Sequence, residues 1–99
     1  MSRCVPLTRE MLDHPVDIRV EDAGLDFAGA REVAERRARE LCENPILLAW
    51  FDGKTGRFSP NIECCREDKP SWLTYAQSRG GDLIIDINGE EYVFVYFKG

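Results

Sequence analysis

Leu83-Ile84-Ile85-Asp86-Ile87-Asn88-Gly89-Glu90-Glu91-Tyr92-Val93-Phe94-Val95-Tyr96-Phe97 is the stretch whose reading decides the fold. In an extended chain Leu83, Ile85 and Ile87 fall on one side and Asp86 on the other. Asn88-Gly89 is the residue pair that suits a two-residue hairpin turn, where both central positions need positive φ. Tyr92–Phe97 is aromatic and β-branched on both sides, so the returning strand needs apolar cover on two faces. This is an antiparallel hairpin whose second strand closes the sheet.

Working back from it, Trp72, Leu73 and Ala76 give a short apolar helix face. Asp68-Lys69-Pro70 starts that helix and Gly80-Gly81 stops it. Ile46–Phe51 is continuously apolar and too short for a long helix, which makes it a buried strand. Asp52-Gly53-Lys54-Thr55-Gly56 is turn chemistry, with Gly53 and Gly56 free to take positive φ. A further strand covers about 57–59 and resumes at 62–65. From Phe27 to Glu43 apolar residues recur at steps of three and four, opposite Arg31, Glu32, Glu35, Arg36, Arg39 and Glu40. That is an amphipathic helix, capped by Asp26 and ended by Asn44-Pro45. Residues 16–20 alternate as a half-buried strand.

The expected fold is α+β and two-layer, in the order β-α-β-β-α-β-β. It has a mostly antiparallel sheet of about five strands, one long amphipathic helix and one short helix. Residues 1–15 form a variable N-terminal lead and 16–99 a single domain. The long helix covers one sheet face. The other falls to the short helix or to a second copy of the chain, so a homodimer is an expected arrangement.

Several blocks resemble a small family of uncharacterised prokaryotic domains of unknown function. They are Val20 to Phe27, Leu48 to Asp52, Lys54-Thr55-Gly56, Phe58-Ser59-Pro60, Glu63-Cys64-Cys65, Asp68-Lys69-Pro70, Trp72, Tyr75-Ala76, Ser78 to Gly81 and Ile85 to Asn88. The resemblance covers roughly residues 16 to 97. It implies a small α+β fold and carries no activity, substrate or catalytic residue.

With 99 residues, 43% hydrophobic and 31% charged, the composition is that of one ordinary globular domain. Thirteen basic and eighteen acidic residues give a charge of −5. Such a surface repels a phosphate backbone, which argues against nucleic-acid binding. No window approaches a membrane span and Met1–Pro15 has no apolar core, so neither a membrane partner nor a secretory signal is expected. A cytoplasmic setting follows, in which Cys4, Cys42, Cys64 and Cys65 stay reduced.

Candidate chemistry is sparse. Zinc wants paired ligands at short spacing, and the single His14 with no C-x-x-C supplies none, so no metal and no cofactor are expected. Gly53-Lys54-Thr55 lacks the earlier glycine of a phosphate loop, and a hairpin turn opens no helix. Asp86-Ile87-Asn88-Gly89 has apolar residues where calcium would need oxygen. No nucleophile–base pair can be assembled, which leaves enzymatic activity open, with carboxylate chemistry at Asp52, Glu63 or Asp86 the residual route.

Residues 44–81 form the one stretch that is not net negative, and they hold both tryptophans. Trp50, Lys54, Trp72, Tyr75 and Arg79 are expected to form an aromatic and basic surface for a small anionic ligand, a protein partner or a second copy. Arg79 with the Gly80-Gly81 amides is the anion-holding part; the plainer reading is that both tryptophans are core. The expected function is therefore a non-enzymatic binding or self-association module. The alternative is a thiol-dependent, redox-sensing or nucleophilic protein using Cys64 or Cys65, with Glu63, Arg66 and Lys69 tuning the thiol.

Overall fold

A computed structural model of the chain describes residues 7–62 and 69–98. The elements are β1 Val16–Ile18, α1 Phe27–Leu41, β2 Ile46–Asp52, β3 Arg57–Ser59, α2 Ser71–Ser78, β4 Leu83–Ile87 and β5 Tyr92–Phe97. The strands form one five-stranded sheet in the order β1-β4-β5-β2-β3. Only β1 runs parallel to its neighbour, β4; the remaining pairs are antiparallel. This is the α+β fold, with β1 and β3 at the sheet's two edges.

α1 starts where Asp26 accepts the Gly29 N–H at 2.9 Å. Its inner stripe is Ala30, Ala34 and Ala38, all fully buried. Those small side chains let the helix backbone lie close over the large residues of the central strands. Ile85, Ile87, Tyr92, Phe94 and Tyr96 fill that layer, with Phe27 wedged 4.4 Å from Trp50 and 5.6 Å from Phe94 between ring centres.

The opposite face of β5, Val93 and Val95, packs on Trp72, Leu73 and Ala76 of α2 and on Leu12 of the lead. Trp72 stacks on Phe51 with ring centres 5.5 Å apart and planes 8° from parallel. The face that α2 or a second copy had to cover is thus covered from within the chain. A single 3-10 turn, Arg9–Met11, brings Leu12 there.

β2 carries an irregularity that sorts its side chains. Its pairing with β5 shifts register between Leu47 and Ala49. The extra residue puts Leu47 and Trp50 together on the α1 side, and Leu48, Ala49 and Phe51 on the α2 side.

Two turns differ from their sequence reading. Ile87 pairs with Tyr92, so the β4–β5 loop has four residues, not the two expected from Asn88-Gly89. Asn88, Gly89 and Glu90 all have positive φ. The loop widens because its polar groups are engaged elsewhere. The Asn88 amide accepts from the Val20 N–H at 2.8 Å and donates to the Val20 carbonyl at 3.1 Å. The Asp86 carboxylate takes the Glu90 N–H at 2.6 Å. In the β2–β3 turn Gly56 has positive φ as expected, whereas Gly53 is there for closeness. A Cβ at Gly53 would lie 2.7 Å from the Glu90 carbonyl oxygen, because the two hairpin loops abut.

Among the described residues no helix is long and apolar enough to cross a membrane.

Candidate functional site

Among the described residues, the main chain of the edge strand β1 is tied on its inner side only. Ile18 accepts the Asn88 N–H at 3.0 Å, and Val20 is held at both its N–H and its carbonyl by the Asn88 side chain. Between the outer edge of β1 and α1 runs a groove of about 400 Å³, with Ile18 and Val33 as apolar floor and Arg19, Arg36, Arg37 and Glu40 around them. Val33, Arg36, Arg37 and Glu40 come from one side of α1 because residues three and four apart share a helix face. Arg37 is neutralised by Glu40 at 3.0 Å. Asp17 also touches the groove, but both its oxygens are taken by Arg9 at 2.6 Å. Arg19 and Arg36 have no ion pair or hydrogen bond among the described residues. In a chain of charge −5, two uncompensated guanidiniums beside an apolar floor make a local anion-attracting site.

On the other side of β1 the charges are fully engaged. Arg9 bonds Asp17 twice, Asp86 at 2.9 Å and Glu90 at 3.4 Å. The Asp86 side chain has no exposed surface. Burial, together with the nearby Glu90 carboxyl, pushes its acid up to about 7, against the pull of Arg9. The hydrogen bond from Arg9 holds Asp17 below the usual carboxylate range. Asp86 therefore exchanges its proton near neutrality, which fits the carboxylate alternative only in part. Its oxygens are taken up within the fold, one by Arg9 at 2.9 Å and the other by the Glu90 N–H at 2.6 Å.

The residues expected to form one aromatic and basic surface are divided among four places. Trp50 packs on Phe27 on the α1 side of the sheet. Trp72 is buried on the α2 side, at 2% exposure. Lys54 donates to the Leu25 carbonyl at 2.8 Å, faces Glu91 at 3.6 Å and lies over the Tyr92 ring. Only Tyr75 and Arg79 meet as foreseen, with the exposed guanidinium 5.0 Å from the ring centre. The Gly80 and Gly81 amides are not free for an anion, since they donate to Gln77 and Ala76 carbonyls at the helix end. The five-residue surface is thus corrected to the Tyr75–Arg79 pair, because the bulge in β2 turns Trp50 to the α1 side while Trp72 lies on the inner face of α2.

Asp52, the other described carboxylate candidate, accepts the Lys54 and Thr55 N–H groups and so shapes its own turn. Cys42 is a free, half-buried thiol that donates to the Ala38 carbonyl at 3.4 Å. Cys4, Cys64, Cys65, Glu63 and Arg66 lie outside the described residues. Among the described residues no group of three or more His, Cys, Asp or Glu is placed to hold a metal ion.

Sequence reasoning missed the groove. Arg36 reads as part of an ordinary solvated helix face, and Arg19 as the polar residue of an alternating strand. The available signal was a count: α1 sets Arg36 and Arg37 side by side, and Glu40 can answer only one of them.

The family model described as a domain of unknown function, DUF5619, matches residues 13–96. An uncharacterized protein of Archaeoglobus fulgidus is 42% identical over 66 residues, which is 64% of this chain and 70% of that protein. The crystal structure of a novel protein from the same archaeon superposes with a TM-score of 0.73 at 27% identity, covering 86% of this chain and 93% of the other.

Proposed function

We propose, from the premise that the chain belongs to the DUF5619 family of domains of unknown function, that it is a non-enzymatic binding module whose ligand is anionic and sits in the groove between β1 and α1. The observation that carries this reading is the pair of uncompensated arginines, Arg19 and Arg36, beside the apolar floor of Ile18 and Val33. Guanidinium forks bind carboxylates with two parallel hydrogen bonds, and the floor takes a short apolar stem. A cytoplasmic location belongs to the same proposal and is supported by the free Cys42 thiol.

The test is a titration with succinate at about 0.05 M salt, followed in proton–nitrogen correlation spectra. Saturable shifts at Arg19, Val33, Arg36 and Arg37 are expected, and the double variant R19E/R36E should lose them while keeping the rest of its spectrum. Shifts scattered over the whole surface, or unchanged in that variant, would overturn the reading.

A further inference from the structure

The backbone beside the groove adds something that the side chains alone do not. In an extended segment the N–H and carbonyl of one residue point to one side and those of the next to the other. Ile18 and Val20 use their groups inward, toward the β4–β5 loop. By alternation the main-chain groups of Asp17 and Arg19 point outward, and no hydrogen bond to them is found among the described residues. Among the described residues β1 is an edge strand with nothing beyond it in the sheet. Native proteins commonly cover or blunt such an edge, or use it to bind.

We infer that the groove takes an extended acidic peptide, which pairs as a sixth strand with the outward main chain of Asp17 and Arg19 and lays carboxylates toward Arg36. The inference rests on the proposed anion groove and names its occupant. Charge decides the pattern that the peptide must carry. Toward α1 lie Arg36, which makes no ion pair among the described residues, and the Arg37–Glu40 pair. Toward the other face lie Asp17, Asp86 and Glu90, all three in contact with Arg9. An added strand shows alternate side chains to these two faces, so the fitting sequence is acidic at every second position and neutral between. A run of consecutive acids would drive half of them against the three carboxylates.

An octapeptide with Glu at every second position, and Thr or Val between, should protect the Asp17 and Arg19 amides from hydrogen exchange. It should bind roughly tenfold more tightly than a peptide of the same composition with its acids consecutive. The Arg36→Glu variant, changed on the helix and remote from the strand ladder, should lose that advantage without a change in melting temperature. Two N-methylated versions of the peptide complete the test. Methylation of one alternate set of amides should abolish binding, and methylation of the other set should leave it intact, since only one set faces the edge. Equal binding by both methylated peptides, or no protection of the two amides, overturns strand addition. If that happens while succinate still shifts Arg19 and Arg36, only this inference falls; if succinate also fails, the groove itself is wrong.

Discussion

Arg9 and Arg36 stand on opposite sides of the same three-residue edge strand, and their surroundings could hardly differ more. Arg9 touches Asp17, Asp86 and Glu90, one of them fully buried. Among the described residues Arg36 pairs with no carboxylate, and it borders a groove. Both are surface arginines of the same chain, so residue type does not separate them. What separates them is whether the fold has already supplied the counter-charge. An arginine answered by three acids, one of them buried, holds the N-terminal lead against the sheet. An arginine left unanswered is available to something from outside.

The largest expected effect lies on the groove side. R19E/R36E should weaken succinate or acidic-peptide binding by about a hundredfold while moving the melting temperature by no more than about 2 °C. Arg9→Ala should do the reverse. It leaves Asp86 buried without its cation, so the melting temperature should drop by roughly 5–10 °C with groove binding kept. If Arg9→Ala proves silent in thermal melts, the two sides are not as different as their contacts suggest. Salt sharpens the contrast further. Raising it from about 0.05 to 0.5 M should weaken groove binding roughly tenfold and barely alter the melting curve, because exposed charges are screened and the pair at Asp86 is sheltered.

The smallest effect is one of pH. Asp86 is pushed up to about 7 from 3.8, so between those values the folded chain holds a proton that the unfolded chain has released. Its contribution to stability is full below about pH 4 and is lost as pH rises through 7. Asp17, held low by Arg9, contributes oppositely: its share is present above the ordinary carboxylate value and is lost as the solution becomes more acid. Asp86→Asn should therefore remove a decline of a few degrees in melting temperature between about pH 5 and 8, leaving the acid limb in place. Melts of the variant that still decline across that range would assign the effect to another group.

Much of the fold was open to reading from local pattern. The three-and-four spacing of Ala30, Ala34 and Ala38, the capping Asp26 and the apolar runs at β2 and β5 each act over a few residues. They give the same answer alone or in the folded chain. The site was far less legible. Trp50 and Trp72 belong to opposite cores, partly because one extra residue in β2 turns Trp50 to the α1 side. Lys54 serves the Leu25 carbonyl across 29 positions, a partnership that no short-range signal announces. Asn88-Gly89 looks like a tight turn until Val20 claims the Asn88 side chain.

The sequence by itself determined the order of elements, the α+β class, the helix with its polar face, and a sheet with apolar demand on both sides. These follow from periodicity and capping, which are properties of neighbouring residues. Only the tertiary structure decided that β1 would lie parallel to β4 at an edge. It also decided that the lead and α2 would cover the second face, that Arg9 would meet three carboxylates and that Arg36 would meet none among the described residues. Those outcomes depend on pairs distant along the chain, Arg9 with Asp86 and Val20 with Asn88 among them. Their energies exist only after the sheet has brought the partners within hydrogen-bond reach.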